Sequence, residues 1–323
     1  MKDVKNRLAV LVAMDLLLVG VSQLSAQTSS QQQCSLAVLS HYVREKQPAC
    51  SSKVVRQMAL SGHVYEQNQL GMASMLVIGP EYSETEALKW FERAAEGGYA
   101  PAQVNLAVMY VNGWGTPTNY AAALRWLHAA ADRGFARAYY NLGILFLNGH
   151  GVRQDYAEAF RWFQKGAEAN DADAESNLGY LYDEGLGCPH SAATAVRWYR
   201  KAAEAGNALG QNNLADMYLR GEGVAQNNAE AFRWFEKAAV QGNTGARIKL
   251  GYMYANGLGV KKDAETAYAW ISAASMAGDD RGDYLIPALK EVLTAQQISA
   301  VDQRTHGTRF KANQQLPISS FAP

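Results

Sequence analysis

The sequence predicts an all-α solenoid of 36-residue helix-turn-helix repeats, and three observations predict it. Trp90, Trp126, Trp162, Trp198, Trp234 and Trp270 recur at that one interval without slippage. Each of the first five is followed, at fixed distances, by a small residue, a leucine and an aromatic ring. Each of those stripes closes on a pair of glycines. A period this constant is the mark of one supersecondary unit stacked on copies of itself.

The first helix of each unit, helix A, is read from the stripe. Leu106, Leu142, Leu178, Leu214 and Leu250 are its centre. Four residues before each leucine stands Ala102, Ala138, Ala174, Gly210 or Ala246, and four after it Tyr110, Phe146, Tyr182, Tyr218 or Tyr254. Positions i, i+4 and i+8 share one face of a helix of about three turns. Glycine pairs such as Gly185 and Gly187 end it, because glycine just past a helix takes the left-handed conformation without a steric penalty.

The second helix, helix B, starts at a strong N-cap residue: Ser83, Asn119, Asp155, Ser191, Asn227 and Asp263. Glu86, Glu158 and Glu230 follow their caps at capping-box spacing. Helix B then carries an alanine, the tryptophan and a small pair such as Ala202-Ala203. It stops at Gly98, Gly134, Gly206, Gly242 or Gly278, with Asn170 as the substitute. The phase of the tryptophans places them in the core rather than on a ligand. Two short helices cannot bury both stripes alone, so each copy must stack on the next.

The pattern Ala-x-x-Asn-Leu-Gly-x-x-Tyr, then Gly-x-Gly-Val, then Asp-x-x-x-Ala-x-x-Trp, resembles the Sel-1-like repeat, a relative of the tetratricopeptide repeat. Residues 138–173 and 174–209 carry it best. The resemblance implies a right-handed α/α superhelix over residues 54–281, with a worn first copy as N-terminal cap. It also implies a non-enzymatic scaffold that binds a protein or peptide in a concave groove. Some secreted, cysteine-rich relatives are linked to β-lactam binding or hydrolysis, which leaves a β-lactamase-like enzyme as the alternative; a passive envelope spacer is another. Those relatives carry cysteine pairs within each repeat, whereas these repeats hold Cys188 alone.

The groove candidates lie on helix A. Asn105, Asn141, Asn177 and Asn213 each precede the leucine, and Tyr140, Ile144, Tyr180 and Tyr252 stand beside that ladder. In related repeats the equivalent asparagine faces the groove and bonds a peptide backbone, since an amide both donates and accepts. The alternative is that each amide braces neighbouring helices.

The ends read differently. Lys2, Lys5 and Arg7 precede an apolar run, so residues 1–26 are expected to be an export signal. With the family's habits, this points to a bacterial periplasmic or secreted monomer without a membrane span after cleavage. Residues 27–53 contain Cys34 and Cys50, which are expected to pair in an oxidising compartment, or else to remain thiols. His41 and His63 match no zinc spacing, so no metal is expected there. Residues 282–303 read as a helical cap and 304–323 as a tail without periodicity. Lys+Arg 30 against Asp+Glu 30 leaves no basic footprint for nucleic acid. His128, His150 and His190 fall at unrelated repeat positions, and no phosphate loop, nucleophile elbow or zinc motif occurs, so no catalytic residue or cofactor is expected.

Overall fold

The computed structural model describes residues 52–76 and 83–307, and every regular element among them is an α-helix. The described residues form two compact units that divide between Gln154 and Asp155. The first contains α1 (Ser52–Leu60), α2 (Val64–Leu76), α3 (Glu84–Glu96), α4 (Ala100–Asn112), α5 (Tyr120–Ala131) and α6 (Ala136–Asn148). The second contains α7 (Tyr156–Glu168), α8 (Ala172–Glu184), α9 (Ala192–Glu204), α10 (Ala208–Arg220), α11 (Asn228–Val240), α12 (Thr244–Asn256), α13 (Ala264–Met276), α14 (Asp280–Val292) and α15 (Ala295–Gly307). In both, each helix packs on the next along the chain, except that α15 packs back on α13.

The helix starts follow the caps read from the sequence. Ser83, Asn119, Asp155, Ser191, Asn227 and Asp263 all accept a backbone N–H of the first turn through their side chains. The reciprocal half of the capping box is not formed. Glu86, Glu158 and Glu230 instead accept from Lys89, Arg161 and Arg233, one turn further on.

The turn from helix A to helix B has a steric reason for its second glycine. Gly187 has φ +70°, and a Cβ there would sit 2.2 Å from the Tyr156 carbonyl oxygen at the head of α7. Gly259 meets Asn228 at the head of α11 in the same way, at 2.4 Å. The turn closes when the Ser191 and Asp263 backbone N–H groups donate to the carbonyls of Tyr182 and Tyr254.

Trp90 and Trp270 are buried in the core, as the sequence reading expects, but the other four tryptophans are not at its centre, which corrects that reading for them. Trp126, Trp162, Trp198 and Trp234 are half-buried, and the residue after each is fully buried: Leu127, Phe163, Tyr199 and Phe235. One position along a helix turns the side chain by about 100°, which separates the two. The fully buried ring enters the small position of helix A, as Tyr199 does against Gly179 and Phe91 against Gly71. A cation three residues later in the chain lies over four of the tryptophans: Arg93 over Trp90, Lys165 over Trp162, Lys201 over Trp198 and Lys237 over Trp234.

A second recurring device closes the end of helix B in five copies. The last carbonyls of a helix need partners from outside it; one of them accepts a backbone N–H of the turn, and a side chain from the following helix A reaches back as its second donor. Gln67 donates to Ala59, Gln103 to Ala95, Tyr139 to Ala131, Gln211 to Ala203 and Arg247 to Ala239, at 2.9–3.2 Å. Burial pushes the Arg247 guanidinium below its ordinary range.

The C-terminal cap consists of two helices. Pro287 lies inside α14, on its exposed side, where water can take the carbonyl that the proline leaves unbonded. The last helix runs past residue 303 to Gly307, because Val301 and Thr305 are buried and Asp302 accepts from Tyr268 of α13. Gln297 also donates to Glu265. The export segment and the Cys34–Cys50 pair lie outside the described residues.

Candidate functional site

Helix A presents the same register positions in each copy, and the candidate residues fall on them. In the first unit Asn105 is buried and donates to Asn68 of α2 at 2.9 Å, so this rung braces two helices. Asn141 donates to its own helix, at the Arg137 carbonyl. Tyr140 and Ile144 beside it are half-buried, with the Arg137 guanidinium 5.0 Å from the Tyr140 ring centre.

In the second unit Asn177 likewise donates one N–H to the carbonyl four residues back, Asp173, at 2.8 Å. That leaves the amide oxygen and the other N–H for an outside group. The Asn213 oxygen accepts from Asn212, so its amide nitrogen remains as donor. Three residues past the ladder, Tyr180 is 39% exposed and Tyr252 is 49% exposed. Burial raises the Tyr180 phenol above its ordinary value, so it remains a neutral donor at physiological pH.

Between the two tyrosines stands Asp216, held by Lys249 at 2.8 Å and by Arg220 at 3.0 Å. Arg220 also pairs with Glu222 and, at 3.8 Å, with Asp183. Burial pushes the Asp183 carboxyl up, more than Arg220 offsets. Arg220 and Lys249 therefore already carry anionic partners. The face is a neutral donor and acceptor strip flanked by two rings, with a self-satisfied ion network between them.

The same face continues onto α14, where sequence reading stopped. Leu285 falls at the ladder register and Val292 seven residues on, while Tyr284 is 84% exposed. Counting 36 residues from Lys249 and Asn256 would have placed both aliphatic residues. The surface thus turns apolar at that end. Val104 and Ile248, at the register of Tyr140 in their copies, are buried and pack rather than line the face.

Other candidates do not assemble. His128, His150 and His190 are exposed, and Cys188 is a half-buried free thiol near the Leu181 carbonyl. Among the described residues no group of three or more His, Cys, Asp or Glu converges to hold a metal. Among them, too, no helix is long and apolar enough to cross a membrane.

Stacked helix pairs, with half-buried amides and two exposed tyrosines on one register, define a helical-repeat protein. The chain belongs to the Sel1 repeat family, whose pattern matches residues 67–99, 100–135, 136–171, 172–207, 208–243 and 245–279. Its fold is similar to that of a protective antigen present in uropathogenic Escherichia coli strains, with an SLR fold. The two share 32% identity at a TM-score of 0.64 over 80% of this chain and 56% of that one. The chain thus spans just over half the length of that relative. A Sel1 repeat protein from Oxalobacter formigenes is 30% identical, with a TM-score of 0.62 over 74% of this chain and 96% of that one. No curated protein matches. Sel1 repeats generally act as protein-interaction scaffolds rather than enzymes.

Proposed function

We propose that the chain holds an extended segment of a partner protein on the helix A face of its second unit, and performs no reaction itself. The observation that carries this is the pairing of incompletely used amides, Asn177 and Asn213, with the exposed rings of Tyr180 and Tyr252. An extended chain has unpaired backbone N–H and C=O groups, and an amide can meet either. Exposed tyrosines supply contact area at low conformational cost. In the first unit Asn141, Tyr140 and Ile144 offer a smaller version of the same face, whereas Asn105 serves the fold.

The chain is proposed to act outside the cytoplasm, on the strength of the basic and apolar N-terminal residues. A photo-reactive residue placed at 180 or 252 in living cells should capture one and the same protein. A control at Arg161, an exposed residue of α7, should not. Equal capture from all three positions would contradict the assignment of the face.

A further inference from the structure

The side chain at the helix-closing register is a neutral donor or a guanidinium in five copies and a carboxylate in two, Glu175 and the exposed Asp283 of the C-terminal cap, which accepts from Ser275. Glu175 of α8 occupies that register, and an ionised carboxylate has nothing to donate. It is buried and its Oε2 atom has no hydrogen-bond partner, and the Ala167 carbonyl at the end of α7, which accepts from the Asn170 backbone N–H, would lack the second, side-chain donor that other copies supply. Lys201 of α9 reaches across instead. Its Nζ lies 2.8 Å from Glu175 Oε1 and donates to the Ala167 carbonyl at 3.2 Å and to Asn170 Oδ1 at 3.1 Å. Asn170 is the residue at φ +59° in the turn where other copies place glycine. Its side chain gives Lys201 an acceptor that glycine could not.

We infer that Glu175 and Lys201 form a proton-responsive clamp joining α7, α8 and α9. With Glu175 ionised, the ammonium group neutralises it and caps the end of α7. With Glu175 protonated, the carboxylic acid can donate to Ala167 as Gln103 and Gln211 do to their own partners. Lys201 then loses its buried counter-ion and is released toward Trp198, whose ring it already overlies. The proton goes to the carboxylate and the ammonium stays charged, so the exchange needs no other reactant.

The groups around the carboxylate set the direction. From α9 the facing cation is Lys201. From the head of α8, Asp171 opposes ionisation, and Asp173 is occupied by the Asn207 amide at the head of α10. From α7 come the neutral Ala167 carbonyl and, in the turn after it, the Asn170 amide, while Lys165 lies over Trp162. Burial raises the Glu175 carboxyl above the ordinary range, and the hydrogen bond and charge of Lys201 offset only part of that. A raised carboxyl favours the folded state at low pH, and that contribution is lost as pH rises through the folded value.

The test is thermal melting of the full chain and three variants between about pH 4 and pH 8, with hydrogen exchange read at the end of α7. Glu175→Gln restores the donor and should melt higher than wild type at pH 8, with the gap closing toward pH 4. Lys201→Met should melt lower at pH 8, by about 2–4 °C or more, and recover as the solution is acidified. Faster exchange at the end of α7 should accompany its loss at pH 8. If Lys201→Met does not fold, the double variant Glu175→Gln/Lys201→Met should still fold, because it holds no buried charge. A Lys201→Met deficit equal at every pH would overturn the clamp. So would a Glu175→Gln chain less stable than wild type at pH 8.

Discussion

Trp162 and Phe163 are neighbours in sequence, and helical geometry gives them different work. Phe163 is fully buried, so Phe163→Ala should cost about 3–5 kcal/mol by lost transfer and cavity energy. Trp162 is half-buried under Lys165, so Trp162→Ala should cost about 1–3 kcal/mol, near the middle of ordinary substitutions. Urea or heat melting of the pair checks the order, and a larger loss at Trp162 would restore the reading from sequence. The tryptophan announced the repeat because it is the same residue six times, but identity of residue is not depth of burial. The true core position varies among Phe, Leu, Tyr and Ile, which hides it from a search for constancy. The same is true of the helix-closing position, where Gln, Tyr and Arg share reach rather than chemistry. Gln211→Leu should cost about 0.5–1.5 kcal/mol, since the Ala203 carbonyl loses the buried amide but keeps its bond from the Gly206 backbone. A Gln211→Leu chain that melts with wild type would show that the bond is idle.

At the scale of elements, caps and turns were legible because their chemistry is local. An N-cap oxygen three residues before the N–H it accepts, or a glycine at positive φ, leaves the same mark in every copy. The two glycines of each turn should nevertheless differ in their tolerance of substitution. Gly185 needs its left-handed backbone at the end of α8, so Gly185→Ala should cost about 1–2 kcal/mol. Gly187 needs that backbone and also touches the Tyr156 carbonyl, so Gly187→Ala should cost more, because a backbone atom must move. Equal melting temperatures for the two variants would contradict this. The end of α15 was illegible for a related reason. No repeat period runs through residues 295–307, and their order comes from tertiary contacts with α13, such as Tyr268 to Asp302. The ladder was legible as a register but not as a set of roles. Asn105 braces because Asn68 lies opposite it, whereas Asn177 bonds only its own helix.

At the scale of the molecule, stability is the sum of neighbouring interfaces, with capped ends. Residues 266–274 of α13 are buried without interruption, because α14 and α15 cover the side that an internal helix B shows to the next copy. A chain ending after Asp279 should therefore expose Tyr268 and Ile271, bind a hydrophobic dye and aggregate. A soluble, dye-free truncation would show that the two helices are not a cap. The central claim is that the helix A face of the second unit is for a partner and not for the fold. It is tested most directly by measuring melting and partner affinity on one protein, the double variant Asn177→Ala/Asn213→Ala, with the protein captured through residues 180 and 252. Each hydrogen bond is worth about 0.5–1.5 kcal/mol, so affinity should fall by roughly one to two powers of ten. Melting should stay within about 2 °C of wild type, since neither amide bonds another helix. A drop of several degrees with affinity unchanged per folded molecule would contradict the account.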